Sequence, residues 1–209
     1  MGNKLLLIGG GGHCHSVLDS ILSAGNYDEI GIIDSVECLY MGVKNIGIDD
    51  DLPKLFADGW IDAFISVGSV GKNDIRHRLY ENVKGIGFDI PSIIDPSAIV
   101  AKDAKIGDGV YVGKRAVVNA GSIIGDCAII NTGSIVEHDC KTGAFSHIST
   151  GAVLCGQVTV GNDTHIGAGS VIRQQITVGD RCLIGIGSVV VKDIGSDSKA
   201  YGNPCKVVS

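Results

Sequence analysis

The chain has 209 residues and a formal net charge of −6, with 44% hydrophobic and 19% charged residues, 31 glycines and few aromatics (Trp 1, Tyr 5, Phe 4). This balance argues against disorder, and glycine at twice its usual share of about 7% without a Gly-X-Y period excludes collagen. The negative charge leaves no broad positive field for a nucleic-acid backbone.

No stretch approaches the ~20 apolar residues of a membrane span. The seven Cys are irregularly spaced and lack a C-x-x-C pair, which speaks against a disulfide framework and a zinc ribbon. The chain reads as soluble, with reduced thiols in a cytoplasm. A core poor in aromatics has to be filled by aliphatic and small side chains, which favours a narrow, regular interior.

In chain order, residues 1–90 alternate strand and helix signals. The apolar run Lys4–Ile8 precedes Gly9-Gly10-Gly11-Gly12 and a helix-compatible stretch from His13 to Ala24. The run Ile30–Ile33 ends in Asp34, a helix is expected around Asp50–Ala57, a strand over Ala63–Val67 ends in Gly68, and a helical pattern covers Asn73–Val83. This order predicts a small Rossmann-like α/β domain with a parallel sheet. Glycines where the first strand turns into a helix let backbone N–H groups approach phosphate oxygens at the helix N-terminus. The G-x-G-x-x-G fingerprint fails, because Cys14 or His15 stands where its last glycine is needed. A nucleotide other than NAD is therefore the functional reading, with the Asp34 carboxylate able to accept from a ribose or a base. A tight turn without ligand is the alternative.

Residues 91–209 follow another rule. Stepping by six from Ile94 to Val190 gives seventeen positions, all Ile, Val or Leu except Thr142. Four residues after each comes a mostly small one, such as Ala98, Ala116, Ser134 or Cys140, and the position after the aliphatic is often Gly or Asn, as at Gly107, Gly125, Asn131 and Gly143. An unbroken hexapeptide period predicts a parallel β-helix, in which six residues make a flat strand and a corner and three sides close a triangular coil. Seventeen hexads predict between five and six coils, with Gly or Asn at the left-handed corners. A sandwich fits less well, because its strands recur every 8–12 residues or so with variable loops.

Three His lie in the repeat. His147 and His165 share one hexad phase and are expected to stack on one face. His138 lies in another phase, within Val136-Glu137-His138-Asp139-Cys140. A His between two carboxylates can have its basicity raised and its tautomer fixed, as a general base requires. A solvated polar corner is the alternative. Metal binding is another, but the H-x-x-x-x-H pair that a resemblance to β-helix carbonic anhydrases would imply is missing, and no metal is expected. Cys140 and Cys182 occupy the small inward position and read as packing.

Gly11-Gly12-His13 after the first strand, Val67-Gly68, Asn73-Asp74-Ile75-Arg76, the segment from Asn131 to Cys140, Phe145-Ser146-His147 and the terminal Gly202-Asn203-Pro204-Cys205-Lys206 together resemble the sialic acid O-acyltransferase and UDP-4-amino-sugar N-acetyltransferase family. The resemblance spans nearly the whole chain. It implies a left-handed β-helix, an exception to the usual right-handed crossover. It also implies a sugar-nucleotide-binding domain over residues 1–90, an acetyl-CoA-binding domain with a C-terminal tail over residues 91–209, and a homotrimer with active sites between subunits.

Residue by residue, the resemblance makes His138 the general base and Asp139 the carboxylate that raises its basicity, where the best-matching family member has Glu. It implies that His147 contacts the acetyl group of acetyl-CoA and that Ala168 and Ile186 offer backbone contacts to the pantetheine. Gly11, Gly12 and His13 would line the sugar-nucleotide phosphates, with Asp34 and Gly68 around the nucleoside. Asn73 and Arg76 would lie at the mouth of that pocket, Arg76 as a phosphate partner.

The implied reaction is direct. His138 takes a proton from the sugar's amine or hydroxyl, the nucleophile attacks the thioester carbonyl, hydrogen-bond donors stabilise the oxyanion, and CoA thiolate leaves. A Cys140 nucleophile would compete, but inward packing makes it a poor one. The expected acceptor is a UDP-linked amino sugar of the 4-amino-4,6-dideoxy-N-acetylglucosamine type, used in surface polysaccharide or glycan synthesis. Sialic acid O-acetylation is the runner-up and would leave the nucleotide pocket unexplained. A non-catalytic sugar-nucleotide-binding scaffold and a metal-dependent hydratase are the readings from other classes.

Overall fold

The computed structural model describes residues 3–209. They form two compact units, one running to Ser69 and resuming over Asp74–Ile93, the other made of Val70–Asn73 and Ile94–Ser209. The division falls after Ile93, and the short segment before Asp74 groups with the second unit.

The first unit contains β1 (Lys4–Ile8), α1 (Gly12–Ala24), β2 (Glu29–Ile33), β3 (Leu39–Tyr40), β4 (Val43–Gly47), a 3-10 turn (Asp49–Asp51), α2 (Leu52–Ala57), β5 (Asp62–Ile65) and α3 (Asp74–Ile86). The sheet order is β3-β4-β2-β1-β5. β1 pairs in parallel with β2 and β5, β4 is parallel to β2 across a bulge at Ile32/Ile33, and β3 is antiparallel to β4. Leu5, Leu6, Leu7 and Ile8 are all buried, because the central strand of a parallel sheet is covered on both faces. Helix α1 buries Cys14, Val17, Leu18 and Ile21 at helical spacing and ends at Gly25, whose φ of 66° closes the last turn through an N–H bond to the Ile21 carbonyl. The strands β3 and β4 were not expected from sequence. β3 lies at the sheet edge with β4 beside it, both are at most half-buried, and neither carries an apolar run.

The second unit is a parallel β-helix of seventeen two-residue strands, from Ile93–Ile94 to Val189–Val190. A first face stacks Ile99–Val100, Val117–Val118, Ile135–Val136, Val153–Leu154, Val171–Ile172 and Val189–Val190. The second face begins at Lys105–Ile106 and ends at Thr177–Val178; the third carries His147–Ile148 and His165–Ile166 and is extended by the terminal hairpin Lys199–Gly202 and Cys205–Val207. In each strand pair the second residue points inward, and Val118, Ile130, Val136, Ile148, Leu154 and Ile166 have no exposed surface. Branched aliphatics fill this interior because the strands alternate sides and the triangle leaves no width for rings.

The corners correct one expectation. None of the Gly or Asn residues that follow the aliphatic is left-handed; from Gly109 to Gly187 the left-handed residue stands three positions after it. Arg115, Cys127, Asp139, Phe145, Gln157, Asp163, Gln175 and Arg181 occupy such corners with φ of 53–62°. The glycines after the aliphatic answer a different demand. A Cβ on Gly125 would lie 2.6 Å from Ala144 N and from Gly143 C, and Gly143, Gly161, Gly167 and Gly179 meet the main chain of the next coil equally closely. Close stacking of coils, rather than φ, selects glycine there.

Candidate functional site

The four glycines after β1 have separate reasons. Gly9 has φ of 104° and faces Val67, and a Cβ on Gly10 would lie 2.7 Å from Cys38 Sγ and 3.4 Å from Asp34. Gly11 and Gly12 have open space where a Cβ would stand, so nothing in the chain itself requires glycine there. They begin α1, whose first turn has no side-chain cap and no acidic residue. Bare N–H groups at the positive end of a 13-residue helix suit a phosphate that approaches the backbone closely.

This turn opens onto a pocket of about 930 Å³ lined by Gly9, Gly11, Gly12, His13, Asp34, Ser35, Asp49, Asp50, Gly68 and Arg78, among others. Its size suits a ligand as large as a nucleotide. Asp34 Oδ2 accepts from Gly10 N–H at 2.6 Å and Oδ1 from Val36 N–H at 2.9 Å, so the carboxylate shapes the loop while each oxygen keeps a lone pair facing outward. The His13 ring is held neutral: burial, reinforced by the Arg76 guanidinium, pushes its pKa down to about 4. Gly68 packs against it, with room for a Cβ only 3.2 Å from that of His13.

Of the residues expected at the sugar-nucleotide pocket, Gly11, Gly12, His13, Asp34 and Gly68 line it and two do not. Arg76 is 1% exposed, on the buried stripe of α3 with Leu79 and Val83. Asn73 belongs to the second unit, where its amide donates to the Phe145 carbonyl and to Asp163 Oδ1, both at 3.0 Å. The cation that lines the pocket is Arg78, 3.9 Å from Asp49 Oδ2. Helical spacing carries the signal that would have found it: Ile75, Arg78 and Leu79 all line the pocket and share one face of α3, whereas Arg76 turns to the core.

On the β-helix, His138 and Asp139 form the corner between the first and second faces. His138 Nδ1 lies 3.0 Å from Asp139 Oδ2, and both side chains are more than half exposed. An ionised carboxylate only accepts, so Nδ1 carries the proton and Nε2 is left as the basic nitrogen. Glu137, the other flanking carboxylate, accepts from His138 N–H at 3.2 Å and from Asn119 Nδ2 at 3.1 Å; it organises the backbone and not the ring. Cys140 is fully buried, its thiol donates to the Cys155 carbonyl, and burial pushes its pKa up to about 11. A thiol in that state is no nucleophile.

His147 and His165 pair in register on the third face, with ring centroids 4.8 Å apart and edge to face. Asn131 Oδ1 accepts from Thr132 N–H, which turns its Nδ2 toward His147 Nε2 at 3.0 Å and leaves the His147 proton on Nδ1. His165 Nε2 lies 3.1 Å from Ser149 Oγ, and burial lowers the pKa of its ring. Ala168 and Ile186 occupy successive turns between the third and first faces, Ile186 with 80% of its surface exposed. At the equivalent turn Asn131 caps Thr132 N–H, but Gly167 and Gly185 precede these two, so neither N–H has a preceding side-chain oxygen to cap it. Among the described residues no three His, Cys, Asp or Glu are grouped to hold a metal ion, and no helix is long and apolar enough to cross a membrane.

Comparison with known proteins bears on both units. Residues 4–83 match the PglD N-terminal domain, residues 139–174 the bacterial transferase hexapeptide of six repeats, and residues 104–138, 157–192 and 175–198 the hexapeptide repeat of succinyl-transferase. The chain is similar to a histidine-to-asparagine mutant of perosamine N-acetyltransferase from Caulobacter crescentus in complex with CoA and GDP-perosamine, with 35% identity over 99% of this chain and 97% of that one and a TM-score of 0.93. It is similar at 39% identity, over the full length of both chains and with a TM-score of 0.93, to the acetyltransferase domain of PglB from Neisseria gonorrhoeae in complex with acetyl coenzyme A. WeeI from Acinetobacter baumannii, at 17% identity and a TM-score of 0.79 over 98% of this chain and 99% of that one, shares the fold.

Proposed function

This chain belongs to the hexapeptide-repeat sugar N-acetyltransferases with a PglD N-terminal domain and a left-handed parallel β-helix, and on that premise we propose how it works and on what. It is an acyltransferase with acetyl-CoA as co-substrate. The acceptor is the amine of a nucleotide-linked amino sugar, of the UDP-4-amino-4,6-dideoxy-N-acetylglucosamine type, in surface polysaccharide or glycan synthesis. The observation that carries the reading is the His138–Asp139 pair, in which a 3.0 Å hydrogen bond holds the proton on Nδ1 and leaves Nε2 as the basic nitrogen.

His138 Nε2 removes a proton from the sugar amine as its nitrogen attacks the thioester carbonyl. The C–S bond then breaks and CoA leaves as the thiolate. The N–H groups of Ala168 and Ile186, one coil apart, suit the carbonyl oxygens of a pantetheine arm. The diphosphate sits on Gly11, Gly12 and His13, with Arg78 replacing Arg76 as its cation.

The site is completed by a second copy of the chain. His138 stands on the edge between the first and second faces, and His147 projects from the third face, which lies opposite that edge of the triangle. One coil's own core separates the two, so a single acetyl-CoA reaches both only when subunits abut. The first face offers the surface for this, an outward ladder of Ile99, Val117, Ile135, Val153, Val171 and Val189. A homotrimer satisfies the geometry, because in a closed ring each copy sets its His138 edge against the His147 face of the next. Val153→Asp is expected to dissociate it, read by light scattering on a sizing column, and to abolish turnover; an active monomer would exclude a shared site. The enzyme acts where acetyl-CoA is available and thiols stay reduced, in the cytoplasm.

The GDP-perosamine bound to the Caulobacter relative makes a GDP-linked amino sugar the second reading. Following CoA release with UDP-4-amino sugars, GDP-4-amino sugars and sialic acids separates these. Turnover with sialic acid alone would overturn N-acetylation.

A further inference from the structure

We infer that Gly156 is a positioning residue: its bare Cα is the seat on which the His138 ring lies. The inference rests on the reading of His138 as the general base. Gly156 follows His138 by one full coil, and it is buried. A Cβ built on it would lie 2.6 Å from His138 Cε1, 3.1 Å from Cδ2 and closer still to Nε2, and these three ring atoms are its nearest neighbours.

Like Gly185, which meets the side chain of Tyr201, Gly156 is separated by that environment from the corner glycines and the stacking glycines of the repeat. Its φ is not left-handed, so backbone conformation does not require glycine. Nor does coil stacking, which at Gly125 or Gly143 sets main-chain atoms against the Cβ position. Only the imidazole fills the space. Asp139 restrains the ring at Nδ1, and Gly156 supports the edge that carries Nε2, so the two contacts together fix the ring plane and the direction of the basic lone pair. Asp139 is accommodated in the same way one coil earlier, where a Cβ on Gly121 would lie 2.5 Å from its Oδ1.

Because the His138 side chain is 55% exposed, an added methyl at 156 can push the ring into solvent without disturbing the coil. A general base displaced by about an ångström loses on the order of 10²-fold in rate, while fold and substrate binding stay as they are.

The test compares Gly156→Ala, His138→Ala and the double variant with the unaltered chain by CoA release and thermal melting. Gly156→Ala is expected to lower kcat about 10²-fold, with KM for acetyl-CoA and for the sugar nucleotide within about twofold. It is expected to add no further rate loss and no melting change once the ring at 138 is gone. The seat is overturned, with the general base left standing, if Gly156→Ala keeps its kcat while His138→Ala does not. It is equally overturned if the alanine at 156 lowers rate or melting temperature as much without the ring as with it. Full activity of His138→Ala removes the general base and the seat together. Should Gly156→Ala alone fold poorly, recovery of the fold in the double variant supports the ring contact, and failure of both overturns it.

Discussion

The two units place functional groups by different means. In the first, irregular loops after β1, β2 and β5 converge on one concave pocket, and residues distant in sequence, such as Gly11, Asp34, Gly68 and Arg78, meet there. In the second, the groups sit on a periodic frame, so sequence spacing alone fixes which edge or face each one occupies. Convergence gives a self-contained site within one unit. Periodicity gives exact placement but spreads His138 and His147 over opposite sides of a packed triangle, a gap that the proposed assembly closes. Glycine use follows the same divide: Gly11 and Gly12 face open space at the pocket, whereas Gly125 and Gly143 leave room for the next coil.

This contrast can be broken experimentally. The largest effect is expected from His138→Ala, which should lower kcat by about 10²- to 10⁴-fold with little change in either KM if His138 is the base; retained turnover, measured by CoA release, would take that role away from His138. Gly143→Ala drives a methyl into main chain of the neighbouring coil and is expected to destabilise the β-helix by about 1–3 kcal/mol, read from denaturant midpoints, with no counterpart at Gly12, where a Cβ meets open space.

A pH effect belongs to the first unit. The His13 pKa of about 4 lies below its ordinary 6.5, so between these values the unfolded chain binds a proton that the folded chain refuses. Stability is therefore full above pH 6.5 and falls as the pH drops to about 4, by roughly 3 kcal/mol. His13→Asn should remove that part of the slope in melts across this range. The smallest effect is expected from Arg78→Gln, a several-fold rise in KM for the sugar nucleotide with KM for acetyl-CoA unchanged; a shift in both would argue against a nucleotide pocket confined to the first unit.

Much of this was legible in the sequence, for stated reasons. Every inward position of the β-helix follows from a period of six, because the frame allows no insertion. The stacking of His147 over His165 and the inward burial of Cys140 follow from the same count. The first unit was legible only where a run was strongly apolar. β1 and β2 are buried strands and announce themselves, while the edge strand β3 and its neighbour β4 are of mixed composition. Arg76 and Arg78 differ by two positions, and sequence chemistry treats them alike; their opposite fates depend on which face of α3 meets the core. Asn73 likewise looked like a pocket residue because it neighbours that helix, yet its amide is engaged by two successive β-helix corners.

The sequence by itself determined the architecture of the repeat, the α/β character of the first unit and the flanking of His138 by two carboxylates, because these depend on period, order and immediate neighbours. Only the tertiary structure decided which glycines serve conformation and which serve contact, which arginine faces the pocket, and that the imidazole of His138 rests on Gly156. Those depend on atoms brought together across coils and loops, where a distance of one ångström separates a permitted Cβ from a forbidden one.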